Sequence, residues 1–291
     1  MIEYLLGVDG GGTGTRVAVA QTDGTVLAQG EAGPSALGQG IAPAWHNIVQ
    51  AIHAAFASIG RETPAWSVCA MGAGLSGINH RPWANEFQAK NPGFAKLVVD
   101  TDAHTMLLGA HGGQPGAMVA AGTGSVGEVL RSDGSRHEVS GWGFPVGDEG
   151  SGAWLGLRAM ALAQQAQDQR RPSSPLTTAV QARCGTSRDA LQAWCANARQ
   201  FEYAQLARVV FECAPADPAA NDLLIQAAAA LDAMALAMDP GGTLPLALCG
   251  SIGQQLKPRL ARATLARCVD ARFDAPYGAL LLIRTALEAP Q

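Results

Sequence analysis

Val8-Asp9-Gly10-Gly11-Gly12-Thr13-Gly14-Thr15 leads directly into Arg16-Val17-Ala18-Val19-Ala20 and then Asp23-Gly24. Later in the chain, Val119-Ala120-Ala121-Gly122-Thr123-Gly124-Ser125 leads into Val126-Gly127-Glu128-Val129-Leu130 and then Asp133-Gly134. In both stretches a strand-like apolar run enters a Gly-Thr-Gly turn, and a second apolar run leaves it. The Asp-Gly pair follows the central Thr by ten residues each time, Thr13 to Asp23 and Thr123 to Asp133. Asp-Gly suits the positive φ angles of a tight hairpin. The pattern predicts strand, Gly-rich hairpin, strand, Asp-Gly hairpin, strand, written twice. Any two meanders share glycine turns, but the same internal spacing in both copies points to a duplicated domain.

The rest of the chain fits around these two meanders. Trp45, Ile48, Val49, Ile52, Phe56 and Ile59 recur at helical spacing, so 43–59 reads as an amphipathic helix. Ser67 to Gly74 and Lys96 to Thr101 read as buried strands, and Asp102 opens a helix to Ala110 as its N-cap. Residues 151–169 and 219–238 read as Ala-rich helices, Leu244 to Leu248 as a strand and Gln255 to Ala266 as a helix. A final helix follows Pro276-Tyr277-Gly278, and Arg170-Arg171-Pro172-Ser173-Ser174-Pro175 marks 170–188 as a polar turn or insertion. Strands mixed with helices in two similar halves predict an α/β fold of two lobes. The lobes span 1–112 and 113–291, and the last helix is a candidate to pack back on the first.

Composition narrows the function. Of 291 residues, 48% are hydrophobic and 15% charged, enough apolar material for a large core. A net charge of −4, without a run of Lys or Arg, argues against a nucleic-acid partner. Met1-Ile2-Glu3-Tyr4-Leu5-Leu6 lacks the basic start and long apolar run of a signal peptide. The most apolar stretch, Ala227 to Met238, is interrupted by Asp232 and falls short of the ~20 residues of a membrane span. Cysteines 69, 184, 195, 213, 249 and 268 form no C-x-x-C pair, so neither a zinc knuckle nor a redox pair is indicated. Single thiols of this kind fit a reducing compartment, and the cytoplasm is expected.

The Gly-rich turns carry the chemistry. Gly10, Gly11, Gly12 and Gly14 let the backbone approach a ligand and aim its N–H groups inward, which suits a polyphosphate. Thr13 and Thr15 add hydroxyl donors. Asp9 would repel phosphates unless a cation sat between, so it reads as a Mg²⁺ ligand, with turn capping as its plain structural alternative. The apolar strand that follows excludes a dinucleotide fingerprint, and no Gly-Lys-Ser/Thr closes a P-loop. Gly122-Thr123-Gly124-Ser125 offers the same donors without an acid. A third stretch, Gly141-Trp142-Gly143-Phe144-Pro145-Val146-Gly147-Asp148-Glu149-Gly150-Ser151-Gly152, is too rich in glycine for a plain connector. There Asp148 would accept two sugar hydroxyls, while Glu149 and Ser151 would also serve as helix caps. A phosphoryl acceptor needs a base, for which Asp102 is well placed and Asp100 is the rival.

Taken together, Asp9 to Thr13, Thr101-Asp102-Ala103, Ala121 to Ser125 and Gly141 to Gly152 resemble the N-acetylglucosamine and glucosamine kinases. That group lies within the BadF/BadG/BcrA/BcrD ATPases of the actin/hexokinase/Hsp70 superfamily. Leu248-Cys249-Gly250-Ser251 resembles the family's adenosine motif, and Pro276 to Leu281 its closing segment. The resemblance implies two ribonuclease-H-like lobes of the actin-like ATPase fold, with ATP in the interlobe cleft and Mg²⁺ as cofactor. It implies ATP binding by Gly10, Gly11, Gly12, Thr13, Gly122, Thr123, Gly124, Ala214, Gly250 and Ser251, with Asp9 on the metal. Asp102 would take the proton from the sugar 6-hydroxyl, and Ser35, Ser76, Asp102, Gly141, Trp142, Gly143 and Asp148 would bind the sugar. The family resemblance also suggests a homodimer. One departure stands out: Ala36 occupies the place of a sugar-contacting Asn, so glucosamine, N-acetylglucosamine or another hexose derivative all remain open. Two other functions share the scaffold, an ATPase that activates a partner enzyme and a non-catalytic sugar-binding protein. The first would hold an iron–sulfur cluster through paired cysteines, which this sequence lacks.

Overall fold

The computed structural model describes residues 1–289. They group into two units, Met1–Pro115 with the chain from Asp270 onward, and Gly116–Val269. The boundary lies three residues past the expected 112/113. Residues 270–289, assigned from sequence to the second lobe with the last helix a candidate to pack back on the first, group with the first unit.

In the first unit β1 (Tyr4–Gly10), β2 (Thr15–Gln21) and β3 (Val26–Ala32) form an antiparallel meander. Strand β4 (Cys69–Leu75) pairs parallel to β1, and β5 (Lys96–Asp100) parallel to β4, giving the order β3-β2-β1-β4-β5. Period-two alternation sends successive side chains to opposite faces. Leu6, Val8, Val17 and Val19 join one apolar cluster with Ile48, Ile52 and Phe56 of α1 (Ile41–Ser58). Leu5, Ala18 and Ala20 join another with Leu280 and Ile283. The first face also receives Phe87 of α2 (Arg81–Ala89). Helix α3 (Asp102–His111) starts two residues after β5 ends, and its N-cap is Thr101 rather than the expected Asp102. The Thr101 hydroxyl accepts from His104 N–H.

The second unit repeats this plan. Strands β6 (Gly116–Ala121), β7 (Ser125–Leu130) and β8 (Arg136–Ser140) form the meander; β9 (Leu246–Cys249) pairs parallel to β6, and β10 (Cys268–Val269) parallel to β9. Its order from the meander's far edge, β8-β7-β6-β9-β10, matches the first. Even the Asp-Gly turns match. Asp23 accepts from Thr25 N–H and Asp133 from Ser135 N–H, while Gly24 and Gly134 have φ of 93° and 81°.

The helices of this unit are α4 (Gly152–Gln167), α5 (Pro175–Cys184), α6 (Arg188–Asn197), α7 (Gln200–Gln205), α8 (Ala207–Cys213), α9 (Pro218–Met238), α10 (Ser251–Leu256) and α11 (Arg262–Ala266). Two expectations fail here. The 170–188 region is not a bare insertion, because Ser174 and Thr177 form a reciprocal capping box and Pro175 sits in the first turn of α5. The helix expected over 255–266 is two short ones, interrupted by a 3₁₀ turn at Lys257–Arg259 that contains Pro258. Helix α9 is 21 residues long and apolar enough to cross a membrane by length and composition, unlike the stretch read from sequence. Its Leu224, Ala227, Leu231 and Met238 are buried in the core of this unit.

The final helix, α12 (Ala275–Glu288), begins before Pro276 and is capped by Asp274. It packs against the first sheet at Gly7 and Gly72. A Cβ at Gly7 would overlap the Pro276 carbonyl, and one at Gly72 would overlap the Ala279 carbonyl. Glycine is the only residue that permits so close an approach.

Candidate active site

Register brings the strand-end residues of the first unit together. Gly10 pairs with Leu75 and Gly74 with Asp100, so β1, β4 and β5 end at one edge of the sheet. Ligands of open α/β sheets bind outside such carboxyl ends. Asp9, the 11–14 turn, Ser76 and Asp102 all belong to this edge. Ser76 N–H donates to the Gly10 carbonyl (2.9 Å), and Ser76 O accepts from Leu37 N–H (3.0 Å).

The first turn is closed by Gly11 N–H donating to Gly14 O (3.0 Å). Gly12 and Thr13 are exposed, and among the described residues their N–H groups have no intramolecular partner. A Cβ on Gly11 would meet nothing within 4 Å, so the turn faces open space. Beneath it lies Ser35, expected as a sugar contact but fully buried. Thr15 Oγ1 is 2.6 Å from Gly33 O and 2.7 Å from Ser35 Oγ. Thr15 has one hydroxyl proton, so it donates to Gly33 while Ser35 donates to Thr15. Ser35 therefore braces the turn, and its N–H donates to Gly11 O (3.0 Å).

Asp9 lies across the β1–β2 ladder from Arg16, whose Nη2 and Nε donate to Asp9 Oδ2 at 2.7 and 3.2 Å. Burial pushes the Asp9 carboxyl up, Arg16 opposes it, and the net direction is upward. Asp102 is the first residue of α3, half-buried, and its Oδ1 accepts from Ala103 N–H (3.0 Å). Asp100 instead turns one oxygen onto the Thr101 N–H (2.7 Å).

In the second unit the turn is closed by Gly122 N–H donating to Gly124 O (2.9 Å), and a Cβ on Gly122 would also meet nothing. Ladder register aligns the copies: Gly10 pairs with Thr15, and Ala121 with Ser125. One residue earlier stand Asp9 and Ala120, so only the first copy carries an acid. The Gly122 and Thr123 carbonyls accept from the N–H groups of Gly152 and Ala153, which fixes the turn to the start of α4. Ser151 caps that helix through Trp154 N–H, whereas Glu149 is no cap but accepts from the Ser140 hydroxyl (3.2 Å).

The glycine-rich loop splits in two. Trp142 and Val146 are 87% and 90% exposed on this loop. Gly141 and Gly143 beside Trp142 hold φ of 72° and 84°. Asp148, expected to accept two sugar hydroxyls, is 4% exposed. Its carboxylate accepts from Gln200 Nε2 (2.8 Å) and, at long range, from Ser125 N–H (3.4 Å). Burial raises its pKa, with Glu149 adding to the shift and those two bonds opposing it.

Gly250, with φ of 80°, caps α10, and a Cβ there would overlap the Ala121 carbonyl at the entrance to the second turn. Ser251 then lines a cleft of about 430 Å³ with Ala204, Gln205, Ala207, Arg208, Phe211, Glu212, Ile252 and Gln255. Ala214 is buried one turn past Phe211 and is not on the cleft wall. The walls contributed by α7 and α8 were invisible in the sequence, where 189–218 showed no recognised pattern.

With this geometry in hand, comparison with known proteins is direct. A family model described as the BadF/BadG/BcrA/BcrD ATPase family matches residues 6–282. The glucosamine kinase of Vibrio cholerae is 32% identical over 281 residues, covering 96% of this chain and 95% of that protein. A solved structure of a candidate N-acetylglucosamine kinase from Chromobacterium violaceum has 50% identity and a TM-score of 0.94, covering 97% of this chain and 99% of that one. A ROK-family glucokinase from Streptomyces griseus, solved with glucose and AMPPNP, shares the fold with a TM-score of 0.54 at 17% identity, over 97% of this chain and 99% of that one. Two sheets of one order, each headed by a Gly-Thr-Gly hairpin, are the actin-like ATPase fold, and the chain belongs to the BadF/BadG/BcrA/BcrD ATPase family.

Proposed function

We propose that this chain is an ATP-dependent kinase that phosphorylates the 6-hydroxyl of an amino sugar, glucosamine or N-acetylglucosamine. The observation that carries the reading is the strand-end edge of the first unit, where an acid, the amides of Gly12 and Thr13 (unpartnered among the described residues) and a second acid at a helix start belong to one sheet edge. The names of the similar proteins support the amino-sugar acceptor.

In this reading the N–H groups of Gly12, Thr13 and Thr123 donate to ATP phosphate oxygens. Phe211, Ala207 and Ile252 offer apolar wall to the adenine, and Ser251, Gln205 and Gln255 offer polar groups to the ribose. Asp102 orients the sugar 6-hydroxyl and takes its proton as the oxygen attacks the γ-phosphorus. Ser76, Gly141, Trp142 and Gly143 contact the sugar. Trp142 would cover the apolar face of the ring, while Asp148 acts from within the loop.

Asp9 fits a Mg²⁺ ion. Arg16 occupies Oδ2, and Oδ1 has no hydrogen bond among the described residues. An ion there would be held by this carboxylate together with water and substrate phosphates. Bound there, the ion would neutralise charge on the transferring phosphoryl group. All six thiols are unbridged, in keeping with a cytoplasmic enzyme, and a homodimer is the assembly that sedimentation would test.

A coupled ADP-release assay across hexoses and amino sugars tests the reading. Turnover should be fastest with glucosamine or N-acetylglucosamine. Sugar-independent ATP hydrolysis would favour the partner-activating ATPase, and binding of sugar without turnover would favour a sensor.

A further inference from the structure

Gln200 is the first residue of α7, a helix otherwise spent on packing and on the cleft wall. Its amide reaches out of that helix to Asp148. A carboxylate only accepts, so the group facing it must be the Gln200 NH₂. The Asp148 carboxylate is thereby held between α7 and the second Gly-Thr-Gly turn. Gly124 leaves room for this junction, because a Cβ there would sit 3.0 Å from Gln200 Nε2 and 3.1 Å from both Asp148 oxygens. Asp148 itself has φ of 63°, the left-handed region, which is uncommon for non-glycine residues though Asp tolerates it better than most.

We propose that Gln200 is a positioning residue that acts through Asp148. It holds the 141–150 loop in register with the 122–124 turn, so that the residues meeting sugar and those meeting phosphate are set by one junction. The proposal rests on the kinase reading for its kinetic consequence, but the junction itself is a property of the folded chain.

The charged groups around it are few. Glu149 follows Asp148 in the loop, and Arg158 of α4 interacts with Glu149. Arg199, the N-cap of α7, precedes Gln200, and Glu202 of α7 accepts from the Arg199 N–H. The 122–125 turn contributes no charge.

Two variants test the proposal. Gln200→Ala removes the donor, and Gln200→Glu keeps the length but replaces the NH₂ by an acid. Amide hydrogen exchange is read first, in the absence of any ligand. In Gln200→Ala, exchange should accelerate at 122–125 and 141–150 and stay unchanged in the rest of β7 and in the other strands of both sheets. In Gln200→Glu it should accelerate near neutral pH, where two carboxylates face each other, and return toward wild type on acidification, when a protonated Glu can again donate to Asp148. Activity is read second. The sugar kcat/KM of Gln200→Ala should fall roughly 10- to 100-fold, the scale of a small misplacement of reacting groups, with little change in melting temperature. Unchanged exchange at both segments would overturn the proposal, as would a Gln200→Glu variant without pH-dependent recovery. If the wild-type chain phosphorylates no amino sugar, the kinase reading fails, and the exchange experiment still decides the junction.

Discussion

Asp102 is fixed twice over. Thr101 caps α3 and so places the Asp102 backbone, and the Ala103 N–H holds one carboxylate oxygen. Replacing it with Asn keeps size and removes basicity. Asp102→Asn should leave ATP affinity largely intact, measured by calorimetric titration, and lower kcat by about 10²–10⁴-fold, the usual weight of general-base help. Near-normal turnover would move the base to Asp100 or Asp148. Asp9 responds to a different variable. Asp9→Asn removes the ion pair to Arg16; if Asp9 also holds the metal, the Mg²⁺ concentration for half-maximal rate should rise at saturating ATP and sugar. Both acids stand out in the sequence by position, Asp9 near the end of a strand before a glycine turn and Asp102 just past a strand at a helix start. The role of Ser35 was not legible, since a one-dimensional string does not show that Thr15 and Gly10 close over it.

Elements were legible where their signal was local. The meanders, α1, α3, α4 and α9 follow from periodicity and turn residues, whereas α5 was hidden among polar residues. Its start is stabilised from outside by Asp217, which is 1% exposed. One Asp217 oxygen accepts from Ala219 and Ala220 N–H to cap α9, and the other accepts from Leu176 N–H at the start of α5. Loss of a cap costs ~1 kcal/mol and an orphaned buried N–H about 1–3 kcal/mol, so Asp217→Ala should destabilise by about 2–4 kcal/mol in denaturant unfolding. Burial pushes this carboxyl up, but Ser174 and the three amides outweigh it and leave the pKa lowered. A lowered acid stabilises the fold above its unfolded value and loses that contribution as the pH falls through its folded value. The stability difference between wild type and Asp217→Ala should therefore shrink on acidification below the ordinary carboxylate range. In the first unit, Gly72→Ala should cost about 1–3 kcal/mol, the range for overpacking, because its Cβ would press on the backbone of α12. A lowered melting temperature reads this out.

At the scale of the whole chain, the duplication visible as two Gly-Thr-Gly turns reappears as two sheets of one strand order, with their turns in equivalent register. The copies differ at Asp9 and Ala120, where only the first carries an acid, and both keep the open turn. This separates two kinds of glycine that a sequence cannot tell apart. Gly11 and Gly122 have no neighbour within 4 Å of a Cβ and no positive φ, so nothing in the fold demands glycine at either. Gly250 has both a positive φ and a carbonyl in the way. If the turns hold phosphate, Gly11→Ala and Gly122→Ala should each retain the wild-type melting temperature while raising KM for ATP, because the added methyl group fills space that the phosphates need. Gly250→Ala should instead lower the melting temperature, whatever its effect on KM. Thermal melts paired with ATP kinetics on the three variants check this. A pair of turn variants with unchanged KM would mean that neither open turn meets the nucleotide, and the phosphate role would then have to lie elsewhere on the two sheet edges.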